Sequence, residues 1–309
     1  MSFVLDTNFA ITLKEINQLN SLSKLKKVLI PKTVKNEMKD FGEIQGNQQI
    51  NLEIVDVSDE ETKRFVEALS TKLQTTSFHF VIELKEQSSK IPLPSRWKHI
   101  ANIILRNINQ NGAKAFSNVF TNNLDAEIIV EKNENTKVLA HADVHICTFI
   151  FNHQKNYVLT MDTCIWSALY IVNPNLKGRI VPIFSCLRLL FKDEPRVFIE
   201  ALKMTILKKR YRFAKNILDS DASRICYEDL MKSVDDVLQR YVSDLIENAN
   251  WSAKKENFTE LIELRGRIRD LVKNHTHYNG EFSFDDAEFI KELKQIEDSF
   301  INLEQQTNN

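Results

Sequence analysis

Four short apolar runs, each followed by residues at helical spacing, constrain the fold of this chain more than any other feature. Phe3-Val4-Leu5 ends on Asp6-Thr7-Asn8, and Val28-Leu29-Ile30 ends on Pro31. Tyr157-Val158-Leu159-Thr160 ends on Met161-Asp162, and Arg179-Ile180-Val181-Pro182-Ile183 is the fourth run. Short β-rich runs alternating with helical patterns specify a parallel sheet with crossover helices, so the expected class is α/β. Residues 52–57, with Ile54, Val55 and Val57, offer a further strand interrupted by Asp56.

The intervening helices are legible. Pro31 sits where helix entry tolerates a missing N–H, and Val34, Met38 and Phe41 form an apolar stripe. Ile146, Cys147 and Ile150 repeat at helical spacing within 142–153, as do Ile165, Trp166, Leu169 and Tyr170 after Asp162. Over about 59–118 the alternation stops. Residues 60–73, 78–86 and 97–108 read as helices, with Ile91-Pro92-Leu93-Pro94 as a hinge, which makes this stretch a helical insertion. Residues 127–131 read either as a strand or as the end of that insertion. Beyond 192, amphipathic patterns over 198–217, 227–248, 259–273 and 285–303 predict an all-α C-terminal domain. The expected organisation is an α/β domain over 1–192 and a helical domain over 193–309.

Three carboxylates, Asp6, Glu37 and Asp162, stand just past the carboxyl end of a predicted strand or one helical turn beyond it, and Asp143 opens a helix. In an open parallel sheet ligands gather at the carboxyl ends of the strands, so these side chains can converge from distant positions. Converging carboxylates repel unless a cation shares the site. Hard oxygen donors of this kind suit Mg²⁺ or Mn²⁺, which acidify water and neutralise charge on a phosphodiester in transit. Metal-assisted phosphodiester hydrolysis is the chemistry this set supports.

The same residues carry a family resemblance. Phe3-Val4-Leu5-Asp6-Thr7-Asn8 resembles the opening strand and Asp-Thr/Ser-Asn/Ser motif of PIN domains. Ile30-Pro31-Lys32-Thr33-Val34-Lys35-Asn36-Glu37 is similar to the second motif, a proline-led helix bearing a glutamate. His141-Ala142-Asp143-Val144-His145-Ile146 resembles the third, and Val158-Leu159-Thr160-Met161-Asp162 the fourth. The resemblance covers about 1–58 and 125–190. It implies a three-layer α/β/α nuclease with a central parallel sheet that acts mostly on RNA through Mg²⁺ or Mn²⁺. It also implies Asp6, Glu37, Asp143 and Asp162 as metal-binding catalytic residues, supported by Thr7 and Asn8. Asp143 follows Glu37 by 106 positions, far more than in a compact PIN toxin. That length and the C-terminal helices fit an RNA-processing member better, protein-only tRNA-maturation enzymes included.

Composition narrows the partners. With 41 Lys and Arg against 42 Asp and Glu, the net charge is −1, so any nucleic-acid surface is local. The most basic stretch holds Lys203, Lys208, Lys209, Arg210, Arg212 and Lys215, with Tyr211 and Phe213 between them. Cations neutralise phosphates while aromatics stack on bases, which makes Lys208, Lys209, Arg210, Tyr211, Arg212 and Lys215 RNA-binding candidates. An equally good reading pairs these charges with the acidic helix that follows. Arg265, Arg267 and Arg269, with Glu260, Glu263 and Asp270 among them, form a second patch, and Arg96-Trp97-Lys98-His99 a third. His141 and His145 have helical i, i+4 spacing but lack a third soft ligand, so supporting or surface roles are expected over zinc.

Four scattered cysteines without a CxxC pair indicate reduced, mostly buried thiols. The N-terminus has no basic signal-like segment, and no apolar run reaches membrane-spanning length, so a cytoplasmic protein with no membrane partner is expected. RNA is the expected partner, and self-association into a homo-oligomer is left open. The competing function is a catalytically inactive PIN-fold scaffold for RNA binding or assembly. Asp-dependent phosphatases and metal-ion-dependent adhesion domains rank lower, because Asp6-Thr7-Asn8 lacks DxSxS or DxDxT spacing.

Overall fold

A computed structural model of the chain describes residues 2–38, 41–46, 49–74, 79–84, 117–118, 120–122, 126–132, 135–208, 210, 222–248, 255–275 and 286–307. β1 (Ser2–Leu5) runs into α1 (Thr7–Glu15), and β2 (Val28–Pro31) into α2 (Lys32–Glu37) and α3 (Phe41–Gly46). β3 (Leu52–Val55) leads to α4 (Asp59–Gln74). β4 (His79–Leu84), β5 (Ala126–Lys132) and β6 (Asn135–Leu139) come next, then α5 (His141–Asn152), β7 (Asn156–Leu159), α6 (Thr163–Val172) and β8 (Ile180–Val181).

Five of these strands form one sheet in the order β3-β2-β1-β7-β8, with every pairing parallel. The chain leaves β1 toward β2 and β3 and later returns on the other side as β7 and β8. The strand order therefore reverses beside β1, the place where an open α/β sheet leaves a crevice at its carboxyl edge. β1 is central because it is apolar on both faces: Phe3, Val4 and Leu5 are all buried. Val28, Ile30, Val158 and Leu159 are fully buried beside it, each side chain worth roughly 1.5–3 kcal/mol against exposure. Helices surround this sheet, and α5 packs on β7 and β2.

Local chemistry sets the element ends. Ser58 and Glu61 form a reciprocal cap on α4: Glu61 N donates to Ser58 Oγ at 3.2 Å, and Ser58 N donates to Glu61 Oε2 at 3.1 Å. Pro31 precedes α2, whose first N–H groups have no intrahelical acceptor, and Val34 and Met38 are buried. The backbone turns extended at Met38 (φ −78°, ψ 107°), and Phe41 opens a separate helix.

Two sequence expectations are corrected. Residues 78–86, read as a helix within the insertion, contain β4, which pairs antiparallel with β5 as β5 does with β6. Phe80-Val81-Ile82 and Leu84 fit either period, and a short apolar run cannot distinguish them until a partner strand takes its backbone groups. The stretch 127–131 accordingly belongs to a strand, while 97–108 lies outside the described residues. The fourth apolar run yields only the two-residue β8. Pro182 has no N–H to extend a ladder and instead starts a helix at Ile183.

That helix is α7 (Ile183–Phe191), followed by α8 (Pro195–Leu207), α9 (Ala222–Val234), a π-helical turn (Asp235–Gln239), α10 (Arg240–Asn248), α11 (Lys255–His275) and α12 (Asp286–Thr307). Contacts divide the chain into two compact units. The first is chiefly Met1–Ile11 and Leu19–Val181; the second is Thr12–Gln18, Pro182–Arg212 and Ser223–Asn309. In the second, α12 packs on α8 and α11 and buries Phe289, Leu293 and Phe300 at heptad-like steps. Among the described residues no helix is long and apolar enough to cross a membrane.

Candidate active site

β1 and β7 pair with Leu5 opposite Leu159, so Asp6 and Thr160 leave the sheet side by side. Asp6 N donates to Leu159 O at 3.2 Å, carrying the ladder one residue past the strand. Thr160 Oγ1 then donates to Asp6 Oδ2 at 2.8 Å and accepts from Asp162 N at 2.9 Å. Asp162 in turn caps α6, accepting from Cys164 N on Oδ1 at 2.6 Å. Asp6 opens α1, its carbonyl accepting from Ala10 N at 3.1 Å.

The other two acids arrive from helices. Asp143 lies in the first turn of α5 and accepts from Ala140 N at 3.0 Å. Glu37 ends α2 and is exposed, with Thr7 Oγ1 3.5 Å from Oε2, at the outer limit of a hydrogen bond. Asn8 is exposed at the start of α1.

Electrostatics tie the acids together. Burial raises the Asp6 carboxyl to about 7; Thr160 opposes the rise, the Asp162 charge adds to it, and the backbone N–H groups of Asn8 and Thr7 hold it down. Burial raises Asp143 to about 8, with the charges of Asp162, Asp6 and, more weakly, Glu37 pushing the same way. Burial also pushes the Cys147 thiol up, and the same Asp143, Asp162 and Asp6 add to it. One negative field at the carboxyl edge of β1 and β7 therefore acts on Asp6, Asp143 and Cys147. No three of the described His, Cys, Asp and Glu residues form a preformed metal-ligating group. Mutual repulsion works against such closure, and Asp6, Asp143 and Asp162 each have one oxygen anchored locally. The donor set is all hard oxygen, the type that Mg²⁺ and Mn²⁺ accept.

Sequence reasoning gave Thr160 no role, although its place in the Thr-x-Asp motif was the available signal. It also gave no partner to His145, whose Nδ1 lies 3.1 Å from Thr33 Oγ1. Burial and then the neighbouring His141 lower His145 to about 4, with Asp59 opposing. The His141 ring stacks on Phe120, with centroids 4.2 Å apart. The two histidines are half-buried packing groups.

Among the basic candidates, Lys208 is exposed at the end of α8, and Arg210 is engaged by Glu15 through two guanidinium nitrogens. Lys203 pairs with Glu297. Lys209, Tyr211, Arg212 and Lys215, like Arg96-Trp97-Lys98-His99, lie outside the described residues. Cys147 and Cys186 are buried and Cys164 half-buried, all three as free thiols.

No family model matches the chain, and no curated protein and no solved structure matches it. Fold and site together define an α/β protein: a central parallel sheet surrounded by helices, with acidic residues at its switch point.

Proposed function

We propose that the chain is a PIN-type, divalent-metal-dependent endoribonuclease that hydrolyses RNA phosphodiester bonds in RNA processing or turnover. One observation carries this reading: Asp6 and Asp143, from elements far apart in sequence, are both pushed toward neutrality by burial and by the Asp162 charge, and Asp6 adds to the rise of Asp143. A purely structural core would not gather costly buried carboxyls around one another, whereas perturbed acids in a crevice mark functional sites.

Asp6, Glu37, Asp143 and Asp162 would hold Mg²⁺ or Mn²⁺. Bound there, such an ion supplies acidified water and positive charge beside the scissile phosphate. Thr160 orients Asp6 and Asp162 against each other. The first N–H groups of α1 face the Asp6 carboxylate and keep it ionisable. Thr7 steadies Glu37, and Asn8 is exposed where it can meet a phosphate or water. Lys208, exposed at the end of α8, is proposed to help grip RNA, whereas Arg210 is taken up by Glu15.

A second reading is an inactive PIN-fold scaffold for RNA binding or assembly. Cleavage of a labelled RNA with Mn²⁺, compared with chelator and with Asp143→Asn, separates the two. Manganese-dependent cleavage lost in the variant supports the nuclease; cleavage indifferent to both supports a contaminant and sinks it.

A further inference from the structure

We infer that a groove in the helical second unit, lined by Arg265 and Arg269, binds the phosphate backbone of single-stranded RNA. The groove measures about 670 Å³ and lies between α7, the π-helical turn with α10, and α11. Its lining has five cationic side chains, Arg188, Lys192, Arg240, Arg265 and Arg269, against two acids, Asp235 and Asp236. In a chain of net charge −1, that concentration is local and specific to one face.

The cations divide into two sets. Arg188 is paired with Asp236, Lys192 lies 3.5 Å from Asp193, and Arg240 lies 3.8 Å from Asp244. Arg265 and Arg269 are exposed, and neither has an acidic partner among the described residues. They stand one helical turn apart on the same face of α11, roughly 5–6 Å between Cβ atoms. Two guanidinium forks at that spacing suit successive backbone phosphates. Arg267, between them in sequence, belongs to another face, where it donates to Ser299 Oγ at 3.2 Å.

The backbone holds this arrangement in place. Gln239, in the π-helical turn, donates to Arg265 O at 3.0 Å, tying the turn to the helix that carries the free cations. A π-turn widens the helix locally and recurs at functional sites. Leu189 is an exposed apolar side chain in the lining, 40% accessible, and offers a base edge a dry contact. An acidic peptide is the competing occupant of these cations, and polyglutamate stands for it in the test.

The inference rests on the nuclease reading only for the identity of the polymer, so its test measures binding, not cleavage. Full-length protein carrying Asp6→Asn is titrated in chelator with a fluorescein-labelled single-stranded oligoribonucleotide of mixed sequence, across a salt series. R265A/R269A in that background should bind on the order of tenfold more weakly, with its salt slope reduced by about 1.4 for two phosphate contacts. R265K/R269K should keep the slope, and an unchanged melting temperature certifies the fold of each variant. Equal affinity and slope in R265A/R269A, or displacement of the RNA by polyglutamate as readily as by unlabelled RNA, overturns the inference. Loss of binding without cleavage by wild-type protein leaves the groove assigned and removes the nuclease reading; cleavage with unaltered binding does the reverse.

Discussion

Thr160 and Asp6, 154 positions apart in sequence, are joined by a 2.8 Å hydrogen bond that opposes the effect of burial on the Asp6 carboxyl. The same hydroxyl accepts from Asp162 N, so one small side chain couples two of the four acids. Thr160→Val keeps the shape but leaves a buried acceptor and an N–H unsatisfied. A loss of about 1–3 kcal/mol in denaturant unfolding is expected. Asp6 should also titrate above about 7, moving the acid limb of the cleavage pH profile to higher pH, and Thr160→Ser should restore it. An unmoved limb would rule out Thr160 as a positioning residue.

Asp6→Asn should abolish Mn²⁺-dependent cleavage while leaving the metal-free protein as stable as the parent or more so. The substitution removes a buried ionisable group whose charge is opposed by burial and by Asp162. Single-turnover cleavage and thermal melting in chelator are the two readouts. Retained cleavage would end the proposed role for this residue.

The pH dependence of stability has a definite sign. Asp6 and Asp143 titrate in the fold near 7 and 8 against a reference of 3.8. The native state therefore binds more protons than the unfolded chain across that window. Their contribution is greatest below about pH 4 and is lost as pH rises through 7 and 8. In chelator the melting temperature should fall from roughly pH 5 to 8, inside this window, and millimolar Mn²⁺ should restore it by binding the ionised acids. A flat profile unaffected by Mn²⁺ would argue against the shared site.

His145 has the opposite sign. Its folded value near 4 lies below the reference of 6.5, so its contribution is complete above 6.5 and disappears as pH falls toward 4. His145→Gln keeps a polar partner for Thr33 and removes the titration. The stability gap between parent and variant should therefore narrow on acidification between those two values, as measured by urea unfolding. A constant gap would show that His145 titrates alike in the folded and unfolded chains, against the lowered value.

Legibility followed the physics of each segment. Phe3-Val4-Leu5 and Val158-Leu159 were readable as strands because buried parallel strands are apolar on both faces, and both are paired in the sheet. α5 was readable because Ile146 and Ile150 repeat one turn apart. β4 was misread, because a six-residue run can serve either period and its partner strand lies more than forty positions later. The Arg265, Arg267 and Arg269 patch was visible as composition, but only the helix placed Arg267 on a different face from the other two.

The sequence by itself determined the alternating apolar runs, the acids that end them and the prolines that start helices, since these are local matters of side-chain burial and backbone hydrogen bonding. Tertiary structure decided the strand order, which puts β7 beside β1 and so Thr160 beside Asp6. It also decided which carboxyls are buried within a neighbouring carboxyl's field and which arginines stand without an acidic partner among the described residues. Those properties depend on distances through space between residues remote in the chain, and Coulomb and desolvation energies follow distance and burial, not sequence separation.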